Sequence, residues 1–465
     1  VLLDAQLFLT AESPLPEEVK KTIARMDGGE PSFICQSAPY RAYCRHGSPL
    51  LAQLASWEDD LSLKGDIQGW HSRVRSAIGW GAENLWPIGQ DIGFASRFSK
   101  FKTVSGVLKA FRASVGEHIR AARSVKPLAP GSLLARSVGM EYPVFQGPMA
   151  RVSDSPEFAM AVSEGGALPF MALSTLKREE ITPMLSGTAE LLKGRPWGVG
   201  ILGFNAQELL NEQLDAIYPF SPGFAVIAGG KPGQVSLLES KGIRSYVHIP
   251  SPSLLEMFVE AGARRFIFEG SECGGHIGPR SSFVLWEGVI EKLKSIARDK
   301  KISLGEFELL FAGGIHDARS ALMVSVLAAK LAEKGASIGV LMGTAYLFTR
   351  EITGAGAITR SFQQEAVQCR NTSVLEISPG HLIRCTQSPF VTAFEELKKK
   401  MRAGKAAPEE IRSKLEEMVL GRSRIASKGL QRNPGFGKPG EPYLAPADEK
   451  TQLSEGLFMV GQAAT

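Results

Sequence analysis

Cysteine is scarce in this sequence, and long apolar runs are missing from it. Five cysteines stand at wide spacings among 465 residues, with no CxxC pair and no zinc-ligand pattern, which indicates a reducing compartment. No apolar run approaches the roughly 18 residues of a membrane span, and the N-terminus has neither the basic start nor the cleavage site of a signal peptide. These absences predict a cytoplasmic protein that does not enter the membrane.

A strong charge of one sign is also lacking. The 53 basic and 48 acidic residues leave a net charge of +5, which is too small and too dispersed to predict nucleic-acid binding, although an acidic protein partner stays open. Hydrophobic residues at 44% and charged residues at 22% are typical of a globular enzyme. The chain opens at Val1 without an initiator Met and stops at Thr465, which fits an excised piece of a larger polypeptide and, equally, a removed tag.

Glycine, by contrast, is abundant and follows short apolar runs. From residue 143 onward such runs alternate with helical patterns, which is the rhythm of repeated βα units. The eight runs lie at residues 144–149, 168–174, 197–203, 224–230, 245–250, 265–270, 308–314 and 338–343. Eight strands with intervening helices predict an α/β fold of the TIM (β/α)8 barrel type, although a doubly wound open sheet has the same rhythm.

Four regions follow from these patterns. They are an N-terminal accessory region at 1–140, the barrel at 141–350, a helical substrate-binding lid at 351–432, and a C-terminal loop and tail at 433–465. Within the first region we predict a strand at 2–9, a helix capped by Ser13 and a long amphipathic helix at 103–123.

Two glycine-rich turns follow the seventh and eighth runs. They read Ala312-Gly313-Gly314-Ile315 and Met342-Gly343-Thr344. In TIM barrels the loops after these two strands often bind phosphate, and bare backbone N–H groups with one hydroxyl can surround a dianion. We therefore predict a phosphate site there, with simple tight turns as the alternative.

The sixth run leads into the most informative segment. Glu269 stands at the strand end, where it can accept hydrogen bonds from a polyol, and Gly274-Gly275 allows the loop to pass close to a flat cofactor. His276 follows directly, so we predict it as the catalytic residue. The alternative is a histidine with a purely structural role.

The first run ends in Gln146-Gly147-Pro148-Met149. A polar residue followed by Gly and Pro brings main-chain amides and a flexible thioether to the barrel mouth. That combination suits a cofactor ring with a polar edge and an apolar face. Taken alone, the same residues favour a simple strand terminator.

Together these segments resemble the nitronate monooxygenase-like superfamily, formerly called 2-nitropropane dioxygenases, which are FMN-dependent TIM barrels. The resemblance covers about residues 141–395, and the phrase at 269–278 is closest to FMN-dependent enoyl-acyl-carrier-protein reductases. The enoyl reductases of polyunsaturated-fatty-acid and polyketide synthases are similar to this chain over the runs at 146–154, 195–204 and 264–287, the C-terminal runs at 424–429 and 456–462, and a stretch around 85–90.

The resemblance implies an FMN site and assigns roles within it. Gln146, Gly147, Pro148 and Met149 would line the flavin ring, with Gly274 and Gly275 passing close to it. Glu269 would contact the ribityl chain, His276 would be the active-site histidine, and Gly313, Gly314, Met342, Gly343 and Thr344 would surround the phosphate. Gly200 is a departure, because relatives often have Asn there, so one side-chain contact to FMN is lost.

The resemblance also implies the reaction. Hydride would pass from NADPH or NADH through FMN to the β-carbon of an enoyl thioester on an acyl carrier protein, and His276, Tyr346 or solvent would supply the α-proton. The alternative is a nitronate monooxygenase that oxidises nitroalkanes with FMN and O2, and a third reading is a scaffold domain without activity. Expected partners are the carrier protein, other synthase domains and a second copy of the chain in a homodimer, with no nucleic acid, membrane or metal.

Overall fold

The computed structural model describes residues 3–35, 38–378, 380–438 and 440–464, with the backbone alone for 62–64. The chain forms two compact units, Val1–Arg120 and Ala121–Thr465. The sequence grouped residues 121–140 with the accessory region, whereas the structure groups them with the barrel. No helix among the described residues is long and apolar enough to cross a bilayer.

The first unit is mainly helical. Its elements are the helices Glu17–Ile23, Pro49–Lys64, Ile67–Ala77 and Ala95–Phe98, the paired strands Ser32–Ile34 and Tyr40–Ala42, the 3-10 turns Ala5–Leu7, Gln90–Phe94 and Ser99–Phe101, and most of the helix Val104–Val125. This last helix confirms the predicted amphipathic segment. The strand predicted at 2–9 is wrong, because Ala5–Leu7 forms a 3-10 turn, and Leu2 lies outside the described residues. Ser13 does not cap the first helix, which begins after Pro16.

Eight parallel strands build the second unit. They are β1 Val144–Gln146, β2 Phe170–Ala172, β3 Gly198–Leu202, β4 Phe224–Ala228, β5 Arg244–His248, β6 Arg265–Glu269, β7 Glu308–Ala312 and β8 Ser337–Met342. Every predicted strand is confirmed. The sheet order is β1-β8-β7-β6-β5-β4-β3-β2, and parallel pairing between Phe145 and Leu168 joins β1 to the residues before β2. The strands therefore form a ring, and the TIM-barrel prediction is confirmed against the open sheet.

The barrel strands alternate between two hydrophobic layers. On β4, Phe224 and Val226 face the cluster inside the barrel, whereas Ala225 and Ile227 face the layer between strands and helices. This period of two arises because successive side chains of a strand point to opposite faces. The outer helices are Pro156–Glu164, Arg178–Leu191, Gln207–Ile217, Pro232–Ser240, Pro252–Glu260, Ser282–Asp299 and Ala318–Ala332, with 3-10 turns at Tyr218–Phe220 and Leu304–Glu306.

A short helix, Leu133–Val138, fills one end of the barrel. Leu134 and Val138 are buried in the interior cluster, and a Cβ on Gly339 of β8 would lie 2.4 Å from Leu134 Cδ2. The absence of a side chain at Gly339 therefore lets the helix approach. Since this helix precedes β1, it covers the end at which the strands begin and leaves the other end for a ligand.

The lid region differs from its prediction. Its helices are Arg350–Gly354, Arg360–Gln368, Pro389–Ala403, Pro408–Val419 and Arg422–Lys428, after a 3-10 turn at Thr344–Phe348. The region is helical as predicted except at its middle, where the strands Thr372–Ser378 and His381–Thr386 form an antiparallel hairpin that the sequence did not predict. The tail adds the strand pair Leu430–Arg432 and Leu444–Pro446, the helix Glu449–Glu455 and a final 3-10 turn, Gln462–Ala464.

Candidate active site

A deep cleft opens where the barrel strands end. It contains about 1480 Å³ of space, including its open mouth. Twelve of the fourteen residues predicted for the site line it, namely Gly147, Pro148, Met149, Gly200, Glu269, Gly274, Gly275, His276, Gly313, Gly314, Gly343 and Thr344. Segments separated by nearly 200 positions in the sequence therefore meet at one place, the end of the barrel at which TIM-barrel enzymes place their active sites.

Gln146 and Met342 do not line the cleft. The amide nitrogen of Gln146 donates to the carbonyl of Gly147 and to Ser153 Oγ at 2.7 Å, and its oxygen accepts from Phe170 N at 3.0 Å. The amide is buried and saturated, so it ties β1 to β2 rather than contacting a ligand. Met342 acts through its backbone carbonyl, which accepts from Gly147 N at 2.8 Å.

The turn after β7 depends on two consecutive glycines. Gly313 has φ +101° and Gly314 has φ +76°, a region that residues with a Cβ rarely adopt. A Cβ on Gly313 would also lie 2.7 Å from Ser282 Oγ and 3.0 Å from the Gly270 carbonyl oxygen. The bare backbone next to the cleft is therefore a steric requirement of this turn.

The turn after β8 meets the C-terminal segment of the chain. Thr344 Oγ1 accepts a hydrogen bond from Gly461 N at 2.9 Å, and Gln462 N donates to the Glu272 carbonyl at 2.9 Å. A Cβ on Gly274 would lie 2.8 Å from Gly461 N. The threonine hydroxyl keeps its hydrogen for a ligand, while the tail holds the glycine-rich loop in place.

Glu269, at the end of β6, interacts with His248, at the end of β5. His248 Nδ1 lies 2.7 Å from Glu269 Oε2. Burial alone would raise the pKa of Glu269, but His248, Cys273 and His276 together lower that pKa below its usual value, so the carboxylate is ionised at neutral pH. For Cys273, burial and the Glu269 charge raise the pKa well above its usual value, and the thiol stays protonated.

His276 lies on a short strand, Gly275–Ile277, that the lid hairpin extends into a three-stranded sheet. Its register partner is Ile383. The imidazole stacks on His381 with ring centroids 5.0 Å apart and an angle of 10°, and Phe204 lies 6.2 Å away. The ring is exposed to the cleft, yet partial desolvation and the nearby His381 lower the pKa of His276 against an opposing effect of Glu269. A neutral imidazole that can donate or accept is the result.

Gly200 on β3 touches the turn after β1. A Cβ at this position would lie 2.2 Å from Pro148 Cβ and 2.4 Å from Pro148 Cγ. The proline ring therefore occupies the space that any side chain at residue 200 would need. The packing of Pro148 therefore explains why this chain has Gly at residue 200, where the resemblance led us to expect Asn.

Sequence reasoning missed several cleft residues. A structural role was favoured for His248, which lines the cleft, and His381 was not named as a site residue. Leu457 and Met459 also line the cleft. They lie in the C-terminal run at 456–462, which carries part of the resemblance but was given no place in the site. A signal for the hairpin does exist, since Pro379-Gly380 separates two runs rich in β-branched residues. The tail carries an apolar run at 456–461, but nothing in its sequence indicates that this run lies at the cleft.

Comparison with known proteins agrees with this geometry. A family model described as nitronate monooxygenase matches residues 205–421. A curated relative, (3aS,4S,5R,7aS)-5-hydroxy-7a-methyl-1-oxo-octahydro-1H-indene-4-carboxyl-CoA dehydrogenase from Rhodococcus jostii, is 26% identical over 263 residues, which is 56% of this chain and 67% of that protein. The protein of that name from Mycobacterium tuberculosis is 25% identical over 238 residues, which is 50% of this chain and 59% of that protein.

Solved structures show the same fold. FabK from Thermotoga maritima superposes with a TM-score of 0.55 at 24% identity, over 71% of this chain and 88% of that one. Nitroalkane oxidase from Streptomyces ansochromogenes gives a TM-score of 0.50 at 18% identity, over 71% and 92%. The closed eight-stranded barrel with a glycine-rich cleft gives this chain the TIM-barrel fold of these structures. Over residues 205–421 the chain is similar to the nitronate monooxygenase family.

Proposed function

We propose that the chain is an FMN-dependent enoyl-thioester reductase that uses NADPH or NADH. The observation that carries this proposal is the arrangement of the cleft. A histidine with a lowered pKa lines the cleft together with the apolar side chains of Met149, Phe204 and Met459 and with glycine-rich turns that have no side chains.

The residues present fit FMN. Gly313, Gly314, Gly343 and Thr344 would hold the phosphate, because their backbone and one hydroxyl face the cleft. Pro148 and Met149 offer an apolar surface for the ring. The imidazole of His248 also lines the cleft.

When bound, FMN would accept hydride from NAD(P)H and pass it to the β-carbon of the enoyl thioester. The protein's own contribution is to bind, orient and polarise the substrate. The N–H of His276 would donate to the thioester carbonyl oxygen, which gains negative charge as hydride arrives. A lowered pKa keeps this imidazole neutral at neutral pH, so that donation does not depend on prior protonation.

The α-carbon proton would come from His276 or from solvent. Tyr346 was the third candidate, but it does not line the cleft. Its ring packs on Phe158 with centroids 5.9 Å apart, and burial raises the pKa of its hydroxyl. A tyrosine in that position is a poor proton donor to a substrate in the cleft.

The thioester class is supported by the curated relatives. The Rhodococcus and Mycobacterium proteins are named as dehydrogenases of a carboxyl-CoA compound, and such a compound is an acyl thioester. Delivery by an acyl carrier protein, other synthase domains as partners, a homodimer and a cytoplasmic location are part of the same proposal. Exposed Lys400, Arg402 and Lys405 near the end of a lid helix would suit an acidic carrier.

Anaerobic stopped-flow spectroscopy tests the reaction. We expect the flavin absorbance to fall with NAD(P)H and to return on mixing with crotonyl-CoA, with formation of the saturated thioester. His276→Ala should slow the return at least about 100-fold while still binding FMN. A flavin that crotonyl-CoA leaves unchanged would contradict the proposal.

Nitronate oxidation is the second candidate, and the description of the matching family model favours it. In that reaction the same histidine would act as a base on a nitroalkane and O2 would be consumed. Oxygen uptake that depends on a nitroalkane, together with no saturated thioester, would support this alternative.

A further inference from the structure

His276 lies on a short strand that the lid hairpin extends into a sheet. The strand Gly275–Ile277 pairs with His381–Thr386, and Ile383 lies opposite His276. Side chains two residues apart on a strand project from the same face, so His381 is the diagonal neighbour of His276. Diagonal neighbours lie within reach of aromatic side chains, and the two imidazoles stack with centroids 5.0 Å apart and planes at 10°.

This stack restrains the orientation of the His276 ring. The second torsion of a histidine side chain is broad and lacks sharp staggered minima, so an imidazole exposed to a cleft can turn about that bond. No side-chain hydrogen bond to the ring of His276 is present among the described residues, and Phe204 adds a tilted contact at 6.2 Å. The nearly parallel His381 restricts the rotation, because turning either ring loses the contact between their faces.

The hairpin that carries His381 is fastened to the loop that carries His276. Arg384 Nε donates to the Ser271 carbonyl at 2.8 Å, and Arg384 Nη1 donates to Thr372 Oγ1 at 2.8 Å. Arg384 is buried, so these hydrogen bonds are costly to break. The two stacked histidines are therefore held by one connected set of strands, to which the lid contributes the hairpin.

We propose that His381 is a positioning residue, which by stacking on His276 holds that imidazole in one orientation towards a ligand in the cleft. In the proposed reaction this orientation directs the His276 N–H at the thioester carbonyl oxygen. The inference rests on the proposed enoyl reductase and gives the lid hairpin a part in the chemistry. His381 does not itself line the cleft, so it acts through His276.

A double-mutant cycle tests this role. At about pH 8, where its lowered pKa keeps His276 neutral, one measures the rate at which crotonyl-CoA reoxidises the reduced flavin. His381→Ala should slow this step about 3- to 10-fold, the range of one aromatic pair, with the affinities for crotonyl-CoA and FMN unchanged. In a His276→Ala background the same substitution should have no further effect, because the ring that it orients is gone.

Two variants show whether the stack itself is responsible. His381→Phe keeps a flat ring at this position, so it should restore most of the rate that His381→Ala loses. Leu382→Ala changes the next residue of the same strand, whose side chain projects from the opposite face. That control should leave the rate unchanged.

NMR of the flavin-free protein gives a readout without turnover. The ring current of a stacked neighbour displaces the Cε1–H signal of His276, which is assigned as the signal missing from His276→Ala. In His381→Ala this signal should move towards the position of an exposed histidine such as His46. In Leu382→Ala it should stay where it is.

The outcomes separate this inference from the proposed function. Equal slowing by His381→Ala in both backgrounds would mean that His381 supports the fold, and no slowing would mean that the stack has no effect. Each of these results overturns the inference and leaves the reductase proposal intact. If crotonyl-CoA does not reoxidise the flavin of the unchanged protein, the reductase proposal fails. The NMR comparison then decides the inference, which an unmoved His276 signal overturns and a displaced one supports.

Discussion

His276 lies between two groups that shift its pKa in opposite directions. Desolvation and the neighbouring His381 lower it, and Glu269 raises it. The ring is therefore neutral at pH values above this lowered pKa and takes up a proton only as the pH falls through it. The stacked arrangement, with centroids 5.0 Å apart, links the charge of one imidazole to that of the other.

Replacing His381 should make His276 easier to protonate. His381→Phe keeps an aromatic ring in the stack but removes the electrostatic effect of His381, so the pKa of His276 should rise towards the usual value of about 6.5. Histidine-selective NMR titration measures this midpoint, with His276→Ala used to assign the signal. His46→Phe, at an exposed site in the other unit, is the control, and an unchanged midpoint in His381→Phe would contradict the electrostatic link.

Gly200 shows a steric constraint at the scale of one methyl group. In Gly200→Ala the new Cβ would lie 2.2 Å from the Pro148 ring, so β3 or the turn after β1 must move. We expect a loss of unfolding free energy of about 1–3 kcal/mol, measured by urea denaturation, together with weaker FMN binding.

Gly233→Ala is the matched control for that change. This glycine lies in the helix Pro232–Ser240, and a Cβ there would meet nothing within 4 Å. The substitution should leave stability unchanged or raise it by up to about 1 kcal/mol. If the two variants unfolded at the same urea concentration, the contact with Pro148 would have no energetic effect.

The barrel elements were predictable because their signals are local. Each strand is a short apolar run that ends at a turn residue, and the phosphate-type turns carry glycines that their positive φ angles require, as at Gly313 and Gly314. The strand count alone left a closed barrel and an open sheet as alternatives, because closure depends on pairing between Phe145 and Leu168 and no local pattern encodes which strands pair. The glycine-rich turns after the seventh and eighth strands, together with the family resemblance, decided for the barrel.

The hairpin and the tail show where sequence patterns fail. The strand His381–Thr386 pairs with Gly275–Ile277, more than 100 positions earlier in the chain. Because this partner is so distant in sequence, the hairpin was included in the helical region predicted at 351–432. The role of His248 depended on a contact with Glu269. Such long-range contacts bring together residues whose own surroundings in the sequence are uninformative.

The basic residues near the end of the lid helix Pro389–Ala403 are the candidate contacts for an acyl carrier protein. Lys398 is buried and interacts with Glu376, whereas Lys400 and Arg402 are exposed. The double variant Lys400→Glu/Arg402→Glu should raise KM for a carrier-bound enoyl substrate roughly 10-fold at low salt, with kcat unchanged, because rim charges mainly affect encounter.

Two comparisons check this reading of the lid. Turnover of crotonyl-CoA, which needs no carrier, should stay the same in the double variant. Lys193→Glu changes an exposed lysine on the loop that leads into β3, at the opposite end of the barrel, and should affect neither substrate. An equal effect on the CoA and carrier substrates would mean that the lid charges contact the substrate rather than the carrier.

At the scale of the whole molecule, the cleft couples ligand binding to stability. A ligand that binds only the folded state stabilises it by about 2.7 kcal/mol at 100 times its Kd. For domains of 150–250 residues each kcal/mol corresponds to about 2–4 °C, so saturating FMN should raise the Tm of the flavin-free protein by several degrees. Differential scanning fluorimetry or calorimetry at fixed protein concentration measures the shift.

The difference between FMN and riboflavin isolates the glycine-rich turns. Both flavins share the ring and the ribityl chain, so their contacts with the rest of the cleft should be the same. Only FMN brings the phosphate that Gly313, Gly314 and Thr344 would surround. At equal concentration FMN should therefore give the larger Tm shift, and Gly314→Ala, which is strained at φ +76°, should reduce that excess. Equal shifts for the two flavins would show that no phosphate site exists at these turns, and the assignment of FMN over other flavins would fail with it.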